Sequence, residues 1–139
     1  MKILILCTGN SCRSQMAHGF LKTLLPDATV RSAGTDPHDV NKNAIRAMAE
    51  AGIDISDHAA EHVNRYAGES FDYVITVCDN AAQNCPVFPG ESTRLHWPFD
   101  DPASATGDDT AVMAVFRRVR DEISAQIKDW IKTLPAQQR

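Results

Sequence analysis

The stretch KILILCTGNSCRSQMAHGF, residues 2–20, decides the fold. It opens with Ile3, Leu4, Ile5 and Leu6 in an unbroken apolar run, the pattern of a strand buried on both faces. Cys7 ends the run, and Thr8, Gly9, Asn10, Ser11 and Cys12 separate it from Arg13. Beyond them Met16, Ala17, Phe20, Leu21 and Leu24 recur at helical spacing until Pro26 closes the segment. Strand, short polar loop and amphipathic helix, in that order, begin an α/β fold.

The loop has a chemistry of its own. Small residues let successive backbone N–H groups converge into a nest for an anion. The helix that starts near Ser14 adds its unpaired N–H groups and the positive end of its dipole. Arg13 adds a planar fork that holds two oxygens of a tetrahedral oxyanion. A thiol inside this ring is favoured as thiolate, below the ~8.5 of a free cysteine. Nucleophile and oxyanion would then meet the same donors. Ser14 is expected to donate its hydroxyl to the sulfur, and Asn10 to take a left-handed backbone conformation. Cys12 reads as a small packing residue. A lone cysteine at a strand end is commonly just buried. The pairing of Cys7 with Arg13 at a strand–helix junction is what points to an oxyanion site over residues 7–14.

Working outward, ATVRSAG (28–34) is a second strand stopped by Gly34. Residues 42–51 form a helix between an Asn41 cap and Gly52. A less regular helical stretch covers 59–67. DYVITVC (72–78) is rich in β-branched and aromatic residues and reads as a strand, TRLHW (93–97) as a weaker one. The last helix, 110–134, aligns Val112, Val115, Phe116, Val119, Ile123, Ile127, Trp130 and Leu134, with His18, by contrast, expected on the surface of the first helix. Strands alternating with helices predict one domain over 1–139, a small open four-stranded parallel sheet flanked by helices on both faces. Ligands of such sheets bind beyond the carboxyl ends of the strands. Cys7 and Cys78 each end a strand, so one site can hold both.

Composition narrows the classes further. At 139 residues, with 43% hydrophobic and 23% charged residues, the chain is of ordinary globular make-up. A net charge of -4 and the lack of a Lys/Arg block argue against nucleic acid as a partner. Arg117, Arg118 and Arg120, followed by Asp121 and Glu122, read as a solvated helix face. No apolar run suits a membrane, and Ile3–Leu6 is too short for a signal peptide, so the cytoplasm is the expected location. Cysteines there are more often catalytic, redox-active or metal-binding than disulfide-bonded. The four cysteines follow one another at 5, 66 and 7 positions, unlike the C-x2-C pairs of zinc sites.

Cys7 to Arg13 resembles the C-x5-R loop of the low-molecular-weight protein tyrosine phosphatase family. CTGNSCRSQMA, VCDNAAQNCP and HWPFDDPA resemble, more closely, the thioredoxin-coupled arsenate reductases built on that fold. SAGT, NKNAIRAMAEAGIDIS and FRRVRDEI extend the likeness over nearly the whole chain. The resemblance implies Cys7 as nucleophile and Arg13 with the loop amides as oxyanion clamp. Asp101, before Pro102, would be the general acid, although Asp-Asp-Pro is equally a turn signal. Cys78 and Cys85 would be relay thiols: arsenate reduction needs two electrons, and thiols supply them by forming a disulfide. The segment between them would be a marginal helix that loops out on oxidation.

The expected partners are arsenate or a phosphate-like oxyanion as substrate and thioredoxin as reductant, acting on a monomer without an organic cofactor. Two alternatives stand beside this reading: a phosphomonoester phosphatase, for which Ala103 replaces the aromatic residue usual after Asp-Pro, and a thiol redox sensor in which Cys78 protects Cys7. Relatives with this loop often hold a structural potassium ion, and Asn10, Ser32 and Glu61 match its oxygen ligands. His18 stands where a fourth ligand is commonly glutamate.

Overall fold

A computed structural model describes all 139 residues. Its strands are β1 (Lys2–Cys7), β2 (Thr29–Gly34), β3 (Tyr73–Thr76) and β4 (Thr93–His96). Its helices are α1 (Arg13–Leu24), α2 (Lys42–Glu50), α3 (Asp79–Gln83) and α4 (Asp109–Thr133). Single 3₁₀ turns lie at Val63–Tyr66, Pro102–Ser104 and Ala136–Gln138. All four strands are parallel, in the order β2-β1-β3-β4. The chain moves from β1 outward to β2 and then crosses to β3, so the order reverses beside the carboxyl end of β1. That switch point is where an open parallel sheet leaves a crevice.

Burial explains the apolar run. Ile3, Leu4, Ile5 and Leu6 are at most 1% exposed because β1 is a central strand covered on both faces. Each such side chain stabilises the fold by roughly 1.5–3 kcal/mol relative to an exposed one. Helix α1 packs against α4 and β2, and α2 against α4. Asn41 caps α2 as expected, its side chain accepting from the amides of Asn43 and Ala44 at 2.8 and 3.3 Å.

Three expectations change. Residues 59–67 form no α-helix but only the 3₁₀ turn Val63–Tyr66, because Val63 and Tyr66 alone of that stretch reach the core. The buried stripe of α4 is Met113, Phe116, Val119, Ile123, Ile127 and Trp130; Val112 and Val115 lie at its margin. Arg120 is not solvated. Its side chain is 13% exposed and donates to the Ala47 carbonyl at 2.8 Å, tying α4 to the end of α2. Arg117 pairs with Glu50 and Arg118 with Asp100, so the basic run joins elements.

Candidate active site

The loop after β1 is held open from outside. Carbonyl oxygens of Cys7, Thr8, Gly9 and Ser11 accept from the amides of Thr35, Asp36, His38 and Asn41 at 3.3, 2.9, 2.8 and 3.1 Å. The Asn10 carbonyl takes the Gln15 side-chain amide at 3.0 Å, and the Cys12 carbonyl takes the Met16 amide at 2.9 Å. With these carbonyls engaged elsewhere, the amides of Gly9 to Arg13 have no acceptor within the protein and remain as donors for an anion. Cys12 stands at the N-cap of α1 without a capping side-chain bond, which leaves the helix's first amides for the same use.

Two residues make this curl possible. Asn10 has φ 48°, the only positive value outside glycine, as its sequence position suggested. Its amide donates to Ser14 Oγ at 2.8 Å, and its Oδ1 accepts the Glu61 amide at 2.9 Å. At the end of β2, Gly34 gives the loop room: a Cβ there would stand 2.3 Å from the Thr8 carbonyl oxygen. Ser14 is fully buried with its oxygen accepting from Asn10.

Cys7 and Cys78 meet at the switch point. Both are nearly buried, and their thiols compete for one proton. The hydrogen bond to Cys78 and burial push the Cys7 thiol up, against the pull of Arg13 and the Thr8 amide. Cys78 is pushed down to about 5, chiefly by its coupling to the Cys7 thiol. The Thr8 hydroxyl at 3.3 Å, the Ala81 amide at 3.4 Å and the Arg13 charge assist. The expectation of a low Cys7 thiol is thus not met in this conformation: the coupling holds Cys7 up and Cys78 down. A second charge beside the first would repel it, so the pair carries one. Burial raises Cys12 to about 11, as befits a packing thiol.

Arg13 and Asp101 close the pocket. Arg13 Nη1 donates to the Phe99 carbonyl at 3.1 Å and Nη2 stands 3.8 Å from Asp101 Oδ2. Asp101 also caps the turn at Pro102, its Oδ1 accepting the Ala103 amide at 3.0 Å. Its two readings, turn residue and site carboxylate, are thus compatible. The cavity measures about 250 Å³ and is lined by Cys7, Cys12, Arg13, Asp101 and Ala103 among others. It also includes His38, which sequence reasoning missed; Gly9 lies so close that a Cβ would sit 3.0 Å from the His38 ring. A histidine in TDPHDV carries no local signal, and only the fold of residues 35–41 over the loop brings it there.

Cys85 lies two residues past the end of α3, half-buried, its thiol pushed up by burial. The oxygens suggested for potassium each have a hydrogen-bond partner in this structure. Ser32 Oγ is bonded to His18 Nδ1 at 2.8 Å, the Glu61 carboxylate to Arg65 at 2.7 Å, and Asn10 Oδ1 to the Glu61 amide. His18 is partly buried rather than exposed: its ring lies tilted 4.5 Å from that of His58, and burial lowers it to about 3. A neutral imidazole facing engaged oxygens does not suit a hard cation.

Comparison with known proteins agrees with this geometry. Residues 2–139 match the family described as low molecular weight phosphotyrosine protein phosphatase. The chain is 51% identical over 132 residues to an arsenate reductase of Halalkalibacterium halodurans, covering 94% of this chain and 95% of that one. An arsenate reductase of Bacillus subtilis is 47% identical over 132 residues, with the same coverage of 94% and 95%. Among solved structures, an arsenate reductase in the phosphate binding state superposes with a TM-score of 0.77. It is 31% identical, over 96% of this chain and 98% of that one.

Proposed function

We propose that this chain, which belongs to the low molecular weight phosphotyrosine protein phosphatase family, is an arsenate reductase that works through a relay of three thiols. The single observation that carries the reading is the second thiol: a hydrolase needs only Cys7, whereas here a second buried cysteine lies at the same loop, Cys78 Sγ standing 3.3 Å from the hydroxyl of Thr8, the residue after Cys7. The names of its relatives support the substrate, and the donor ring around Cys7 suits any tetrahedral oxyanion.

Arsenate enters the loop, its oxygens on the free amides and the Arg13 fork. Cys7 passes its proton to Cys78 and attacks arsenic. One arsenate oxygen leaves as water, with Asp101 supplying a proton, and a covalent Cys7–arsenate adduct remains. Cys78 gives its proton to an oxygen of the arsenic adduct and, as thiolate, attacks Cys7 Sγ. The sulfur–arsenic bond breaks and its electron pair stays on arsenic, which leaves as arsenite after taking up protons. Arsenic is reduced by two electrons and the thiols are oxidised to a Cys7–Cys78 disulfide. Cys85 then attacks Cys78 Sγ and Cys7 departs as thiolate. The Cys78–Cys85 disulfide is returned to thiols by the dithiol of a thioredoxin.

The test is steady-state arsenate reduction with thioredoxin by Cys78→Ser and Cys85→Ser, beside hydrolysis of an aryl phosphate. Multiple turnover of arsenate disappears in both variants while hydrolysis persists. Arsenate turnover at the wild-type rate in either variant refutes the relay.

A further inference from the structure

Between Cys78 and Cys85 the chain is loosely attached. From Asp79 to Pro86 the only side chain fully buried is Ala81. Hydrogen bonds within the segment are local, from Asn84 to Asn80 and from Ala82 to Cys78. Two polar ties reach it from elsewhere, and both come from the edge strand β4. His96 Nε2 bonds Asp79 Oδ1 at 3.0 Å, at the start of α3. Arg94 Nη2 donates to the Pro86 carbonyl at 2.9 Å, just past Cys85. His96 and Arg94 are alternate residues of one strand and so point to the same face. They hold the two ends of the same short segment. Beneath it lies a cavity of about 150 Å³ lined by Ala82, Cys85 and Leu95 as well as by these two, so the segment does not rest on a solid core.

The network around His96 keeps its ring oriented. Thr76 Oγ1 lies 2.7 Å from His96 Nδ1 and 3.4 Å from the Leu95 carbonyl. A ring that carries a hydrogen on Nε2, whether neutral or charged, donates it to Asp79.

We propose that His96 and Arg94 form a clasp that holds residues 79–86 closed in the reduced protein and sets how often the segment unwinds. Its consequence for catalysis rests on the relay described above. Cys78 is the N-cap of the five-residue helix α3 and Cys85 lies two residues past its end, so the helix stands between them, whereas disulfide-bonded Cα atoms lie within about 7 Å. Cys85 therefore reaches Cys78 only when α3 opens. His96 and Arg94 touch no reacting atom; they act by positioning. The clasp is weak by construction, since the His96 and Asp79 side chains are 38% and 82% exposed.

Hydrogen exchange of the reduced full-length protein tests this directly. Removing one exposed tie speeds amide exchange of residues 81–84 by about two- to fivefold, and the double variant multiplies the two factors. The variants are His96→Ala, Arg94→Ala and both together. His96→Gln keeps an N–H donor toward Asp79 and brings the exchange back toward wild type, which mere loss of packing would not. Amides of β1 and α4 serve as the control for the fold. In a single turnover of arsenate, mapped by mass spectrometry, conversion of Cys7–Cys78 to Cys78–Cys85 accelerates by the same factors. Unchanged exchange in the double variant overturns the clasp, and faster exchange with unchanged conversion overturns its control of the relay. If exchange rises as expected but arsenate never yields Cys78–Cys85 in the wild type, the clasp stands and the relay falls.

Discussion

Thr8→Val removes one of four groups that favour the Cys78 thiolate while nearly keeping the side chain's volume. Cys78 lies at about 5 because the Cys7 thiol, the Thr8 hydroxyl, the Ala81 amide and Arg13 together outweigh burial. The hydroxyl stands 3.3 Å from the sulfur, an ordinary reach for an O–H to sulfur bond. A bond of this kind to a charged partner contributes about 1.4 kcal/mol, which is one pKa unit. The variant's Cys78 should therefore titrate at higher pH, with less thiolate at any acidic pH. Reactivity at neutral pH then barely drops, since a more basic thiolate is also the better nucleophile. What moves is the acid limb. Alkylation of the reduced protein by iodoacetamide, followed on the Cys78 peptide by mass spectrometry between pH 4 and 8, reads that limb. A shift of about one unit to higher pH is expected. An acid limb that stays in place would refute the assignment of Thr8 as a donor to this sulfur.

Three further outcomes follow from the same geometry. Arg13→Lys keeps a positive charge but loses the two-pronged fork, and phosphate affinity measured by calorimetry should fall about 30- to 100-fold; an unchanged affinity would mean that the amides alone hold the anion. Gly34→Ala drives a methyl to 2.3 Å from the Thr8 carbonyl, so thermal unfolding should show a loss of about 2–4 kcal/mol together with loss of oxyanion binding. His18 is neutral in the folded protein down to about 3, while the unfolded chain takes up the proton near 6.5. The unfolded state thus binds more protons between these values, and stability is lost as pH falls below about 6.5, by at most about 1.4 kcal/mol per unit. Urea midpoints at pH 7 and 5 should converge in His18→Gln, and an equal drop in both proteins would assign the acid sensitivity to other groups.

How much of this was legible beforehand differs from residue to residue. Ile3–Leu6, the polar loop and the helix after it read correctly because strand, turn and helix each follow from local periodicity and loop chemistry. Asn10's left-handed backbone was likewise visible, since few residues tolerate it. The 59–67 stretch misled because its apolar residues at helical spacing reflect only Val63 and Tyr66 touching the core. His18 misled for the opposite reason: a polar residue on a helix passes for solvent-facing until β2 and the segment around His58 cover it.

By itself the sequence determined a parallel α/β domain with an oxyanion loop at the end of its first strand. Hydrophobic period, glycine, asparagine and arginine act there through contacts a few residues apart. Only the fold in three dimensions put two thiols at one loop, where their coupling holds one up and the other down. Cys7 and Cys78 come together through strand order, and a proton shared between two buried thiols depends on distance and on the donors around each. So too with His96 and Arg94, whose grip on the segment between the relay cysteines exists only because β4 lies beside β3.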